Sequence, residues 1–144
     1  MLLQGKTFEA EFCGEINNFK SIKNTLSDDD YVKTQPLVPL LSMFAIRDGF
    51  DEKFELLPAN ATVTGNNSKQ VITYETFGGY NIQVSLYLEA RGDSILVSAD
   101  IANNQPELDV VEILCPHISG IYLGNSYEDD VIIYPHHAGE RTVN

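Results

Sequence analysis

The chain has 144 residues, enough for one domain, and 43% of them are hydrophobic, which supports a real core and excludes a disordered chain. Its 21 acids outweigh nine bases for a net charge of −12, which argues against nucleic acid, whose phosphates need clustered Lys and Arg, and equally against an anionic membrane surface. No run of eighteen apolar residues is present to span a bilayer, and the opening "MLLQGKTFEAEF" does not have the pattern of a signal peptide.

The segments read as strands nearly throughout. "KTFEAEF" (6–12) sets Phe8, Ala10 and Phe12 on one face and polar residues on the other. "INNFKSIKN" (16–24) has its apolar residues three apart, a helical spacing, but the Gly-bearing turn before it favours a hairpin with the first strand. "TLSDDDYVKTQP" (25–36) is a long polar loop, and "LVPLLSMFAIRDG" (37–49) is a buried run that begins at an edge or bulge because of Pro39. "FELLP" (54–58) and "ATVTG" (61–65) are short strand candidates, with "NNSK" (66–69) as a turn. "QVITYETF" (70–77) then leads through Gly78-Gly79 into "YNIQVSLYLEA" (80–90), and "RGD" (91–93) turns into "SILVSADIAN" (94–103). Strict period-two alternation with a Gly turn at each corner predicts an antiparallel meander, with Ile82, Val84, Leu86, Leu88, Ile95, Val97 and Ile101 facing inward. "VVEILCPHI" (110–118), interrupted by Pro116, and "DVIIYP" (130–135) close the series. With no convincing helix, linker or repeat, residues 1–144 are expected to form a single all-β domain, an antiparallel two-layer β-sandwich.

Candidate chemistry is thin. His117, His136 and His137 are all near the end of the chain, but adjacent histidines on an extended strand point to opposite sides, so the expectation is no metal. "DDD" (28–30) and "EDD" (128–130) lack the spaced pattern of a calcium loop and read as solvated loop charge. "RGD" reads as hairpin chemistry, with Gly92 free to take positive φ, rather than as an integrin-binding tripeptide. Cys13 and Cys115 read as buried free thiols, with a disulfide as the alternative, and Pro116 disturbs any Cys115–His117 catalytic pair. No cofactor is implied.

With the strands placed, four stretches resemble a known family in order. "GEINNFKSIKN" (14–24) is similar to the early hairpin of galactose-mutarotase-like β-sandwich domains in glycoside hydrolases, and "PLLSMFAIRDG" (39–49) to the strand that follows it. "VSADIANNQPELDVVEILCPHISGIYLG" (97–124) and "DDVIIYPHHAGERTVN" (129–144) resemble segments of large bacterial glycosidases related to endo-α-N-acetylgalactosaminidases. The resemblance implies a supersandwich-like accessory domain of a carbohydrate-active enzyme. It would be non-catalytic itself and pack against a following catalytic barrel that would carry the acid and the nucleophile. The family's sandwich is usually longer, so the chain is expected to be the N-terminal part of a longer protein, extracellular or periplasmic. The rivals are a free-standing carbohydrate- or protein-binding module and a mutarotase-like enzyme in which a His acts as general acid.

The end of the chain carries one further expectation. "DVIIYP" is apolar on both faces and "HHAGERTVN" is too short and polar to cover it, so residues 130–144 should form an interface, with the following domain or with a second copy as a homodimer. Tyr134, His136, His137 and Arg141 are the residues expected at that junction, where they would also suit a cluster of sugar hydroxyls.

Overall fold

The computed structural model describes the chain apart from residues 50, 125–127, 129–130, 135–139 and 144, and gives the backbone alone for 131–134 and 140–143. It is an antiparallel all-β protein with no α-helix among the described residues. Strands β1 (Leu2–Gln4), β2 (Phe8–Cys13) and β3 (Asn18–Asn24) form one sheet in the order β1-β2-β3. Strands β4 (Ser42–Arg47), β5 (Lys53–Leu56) and β10 (Leu108–Leu114) form a second, in the order β10-β4-β5. The third is the meander β6 (Ala61–Gly65), β7 (Lys69–Tyr74), β8 (Ile82–Arg91) and β9 (Ser94–Asn103). A two-stranded ribbon pairs β11 (Val131–Tyr134) with β12 (Glu140–Val143). That last strand lies in the tail that sequence alone read only as too short to cover its neighbour.

The three larger sheets share one core, the sandwich-like arrangement that the alternation predicts. Phe8, Ala10 and Phe12 of β2, Met43 and Ala45 of β4, Ile72 and Tyr74 of β7, and Ile82, Val84, Leu86 and Leu88 of β8 are all buried in it. Phe12 meets Phe19 edge-on with centroids 6.1 Å apart, and Tyr74 meets Phe77 similarly at 5.5 Å. The ambiguous 16–24 stretch resolves as a hairpin partner of β2, with a register shift between Glu11 and Phe12. That irregularity breaks the period-two pattern and explains the helix-like spacing. Of the 37–49 run only Ser42–Arg47 is strand, and Leu37 is 93% exposed.

The last two hairpin corners of the meander follow their turn chemistry. Phe77 and Tyr80 exchange backbone hydrogen bonds across Gly78 and Gly79, both at positive φ (57° and 83°), a type I′ turn. Between Arg91 and Ser94 only Gly92 has positive φ (60°), the signature of type II′, so "RGD" is a turn, and its Asp93 accepts a hydrogen bond from the Thr7 hydroxyl. Strand β9 is the free edge of its sheet, so Ile95, Val97 and Ile101 point toward the core yet stay only partly buried. Strand β10 is likewise an edge, and its Val111 and Ile113 are 50% and 46% exposed.

Candidate functional site

The residues picked out by sequence do not gather into one centre among the described residues. His117 follows β10 in a loop tied into the fold: its N–H donates to the Leu40 carbonyl, and its own carbonyl accepts from the Asn18 amide. Its Nδ1 is buried and makes no hydrogen bond. Burial also pushes the Cys115 thiol up to about 11, which disfavours the thiolate that a Cys–His pair would need near neutrality. Cys13 and Cys115 are free thiols, each half-buried. Tyr134 and Arg141 lie on the β11–β12 ribbon, where Tyr134 pairs in register with Glu140 and Arg141 with Ile133. Their side chains, and His136 and His137 entirely, lie outside the described residues, as does the junction expected there. No group of three His, Cys, Asp or Glu side chains among the described residues is placed to hold a metal ion.

The "DDD" loop has a structural role that its sequence did not reveal. Asp30 accepts hydrogen bonds from the Ser21 hydroxyl at 2.6 Å and from the Ile22 and Val32 N–H groups at 3.0 Å each. Desolvation is the largest single influence on this carboxyl and acts to raise its pKa. The three hydrogen bonds and the nearby Lys33 together outweigh it, leaving Asp30 below the usual carboxylate range. This carboxylate fastens the long loop back onto β3. Asp28, at φ 64°, pairs with Lys23 on the surface.

Two surface features have the makings of a binding site. The first is the outer face of the meander. Cross-strand register puts Thr62, Thr73, Ser85 and Asp100 in one row across all four strands. Neighbouring strands are about 4.8 Å apart, so the row of hydroxyl and carboxylate groups is about 14 Å long. Beside it Tyr87, 38% exposed, donates from its hydroxyl to Asp100 Oδ2 at 3.0 Å, which fixes the ring over the sheet. Thr73, Glu75, Gln83, Ser85 and Asp100 border a depression of about 390 Å3 on this face. These are the polar positions of the same alternation that located the core. Alternation in sequence put Gln83, Ser85, Tyr87 and Asp100 opposite the apolar positions and gave no means of knowing which residues would lie side by side across strands.

The second is a depression of about 340 Å3 where β4 ends and β5 begins, lined by Arg47, Glu52, Lys53, Phe54 and Tyr80. Arg47 donates from Nη2 to the Tyr80 hydroxyl at 2.6 Å. The Phe54 and Tyr80 rings lie 6.4 Å apart at 53°. Lys53 pairs with Glu112 and sits 4.8 Å over the Phe44 ring. These residues come from separate segments, and no linear motif joins them.

No family model, curated protein or solved structure matches this chain.

Proposed function

We propose that this chain is a non-catalytic β-sandwich domain serving a carbohydrate-active enzyme, and that the outer face of β6–β9 is where it meets sugar. The observation that carries this reading is the Thr62–Thr73–Ser85–Asp100 row with Tyr87 fixed beside it. Sugars present hydroxyls that both donate and accept, and ring faces that carry only C–H groups. The row of hydroxyl and carboxylate groups, with the Gln83 amide near it, answers the first, and an aromatic ring with a polar tip answers the second. The face sits on strands held by the core, which keeps such groups in place without a loop closing over them. The resemblance of 97–124 and 129–144 to segments of bacterial glycosidases points to the same substrate class. A Cys115 thiol whose pKa burial raises and a His117 anchored through its backbone favour binding over turnover.

Packing against a neighbouring domain is the companion role. Val111 and Ile113 on β10, with the partly buried Ile95, Val97 and Ile101 of β9, leave an apolar rim along two free sheet edges. Such edges are usually covered or charged, and Asp100 is the one charged residue on β9.

A panel of neutral oligosaccharides tests the reading, with binding followed by calorimetry. At least one should bind, and Tyr87→Ala should weaken it about tenfold, as expected for an aromatic contact of about 1 kcal/mol or more. Binding that ignores Tyr87→Ala and Asp100→Ala, or aryl-glycoside turnover by the wild-type chain, would contradict it.

A further inference from the structure

The depression at Arg47 carries a more specific chemistry than the outer sheet face. The chain has only nine Lys and Arg residues against 21 acids, and two of them, Arg47 and Lys53, line this one hollow. Five of the described bases, Lys20, Lys23, Lys53, Lys69 and Arg91, each reach a carboxylate within 4.0 Å. Arg47, like Lys6 and Lys33, has no such pair among the described residues, although Asp48, Asp51 and Glu52 are close to it in sequence. Its guanidinium is turned to a neutral acceptor instead, the Tyr80 hydroxyl.

That hydrogen bond uses one N–H of a planar fork with five, and among the described residues the others have no protein partner. Tyr80 is itself held firmly. The type I′ turn at Gly78-Gly79 fixes its backbone, and its carbonyl accepts from both Phe77 and Ile82. The guanidinium is therefore anchored at one point, beside two half-buried aromatic rings. A planar cation with free parallel donors matches a carboxylate, and the adjacent rings match an apolar ring face.

We propose that this depression binds a carboxylated sugar, a hexuronate, with the carboxylate on Arg47 and the C–H face of the ring against Phe54 and Tyr80. The carbohydrate part of this assignment rests on the proposed function, whereas the carboxylate part rests on Arg47 alone. Lys53 at the rim is already paired with Glu112, so Arg47 is the cation left for the carboxylate, and Glu52 offers an acceptor for a sugar hydroxyl.

The test is a calorimetric and NMR titration of the full chain with D-galacturonate, D-galactose and acetate. Galacturonate should bind about tenfold or more tightly than galactose at this site, because charge-assisted bidentate hydrogen bonds are lost with the carboxylate. Arg47→Ala should abolish that preference. Arg47→Lys should recover only part of it, since a point charge lacks the fork. Tyr80→Phe should weaken galacturonate and leave the fold intact, because it removes only the hydroxyl that orients Arg47. Tyr87→Ala should have no effect on galacturonate. Equal affinity for galacturonate and galactose, or galacturonate binding untouched by Arg47→Ala, would overturn the proposal. A wild-type chain that binds galacturonate but no neutral sugar would overturn the outer-face reading instead. Acetate binding as tightly as galacturonate would show that the rings contribute nothing and would overturn the sugar assignment.

Discussion

Leu86 is the residue on which the meander can be tested most sharply. It is fully buried, mid-strand on β8, with Ile72 in register on β7 and Ala99 in register on β9. Leu86→Ala removes three carbon groups, about 2.4 kcal/mol of transfer free energy at about 0.8 kcal/mol each. The void adds to this, because strands held on both sides by hydrogen-bond ladders cannot close over it, and comparable truncations span about 2.7–5 kcal/mol. Here β9 is a free edge and Ala99 is exposed, so partial collapse from that side is available, and about 3 kcal/mol is expected. In urea, with a slope near 2 kcal/mol/M, the midpoint should fall by about 1.5 M. Leu96→Ala is the matched control: the same chemistry on β9, at a position 43% exposed, should change stability by no more than about 0.5 kcal/mol. A cost below about 1 kcal/mol at Leu86, or a larger one at Leu96, would show that the two faces of the sheet have been exchanged.

Three further outcomes follow from individual sites. Gly78→Ala should destabilise by about 1 kcal/mol or more, because φ is 57° and a Cβ would lie 2.6 Å from Leu56 Cδ2; thermal unfolding measures it. Asp30 has its folded pKa below the ordinary value, so its stabilising share is present at neutral pH and is lost as pH falls through the folded value, below about 4. Asp30→Asn should therefore be less stable than wild type at pH 7, and the gap should narrow toward pH 3, as read from urea midpoints across that range. With its thiol at about 11, Cys115 should alkylate slowly in the native protein at pH 8 and accelerate about tenfold per pH unit up to that value, checked by iodoacetamide labelling and mass spectrometry.

The meander was legible because two signals agreed. Alternation over Ile82–Leu88 set the faces, and Gly78-Gly79 and Gly92 set the corners with the turn types their φ angles show. Where a bulge broke the period, as between Glu11 and Phe12, the same rule pointed ambiguously at a helix. Burial on β9 was overestimated because periodicity reports which way a side chain faces, not whether its strand has a neighbour on the far side. The two proposed binding surfaces were not legible at all. The Thr62–Thr73–Ser85–Asp100 row depends on register across four strands, and Arg47 meets Tyr80 across 33 positions of chain. The histidines drew attention because they cluster in sequence, yet His117 is fixed by backbone hydrogen bonds to Leu40 and Asn18. The role of Asp30 needed the partners Ser21, Ile22 and Val32, which only the folded loop brings to it.

The most direct measurement is an amide chemical-shift titration of the labelled chain with a neutral oligosaccharide that binds it. If the outer sheet face is the sugar platform, shifts will centre on Thr73, Ser85, Tyr87 and Asp100 and disappear in Tyr87→Ala, while the amides of Ile72, Val84 and Leu86 keep their native positions. Shifts confined to other surfaces, or the absence of any neutral-sugar response across the panel, would contradict the assignment of the outer sheet face as a sugar platform.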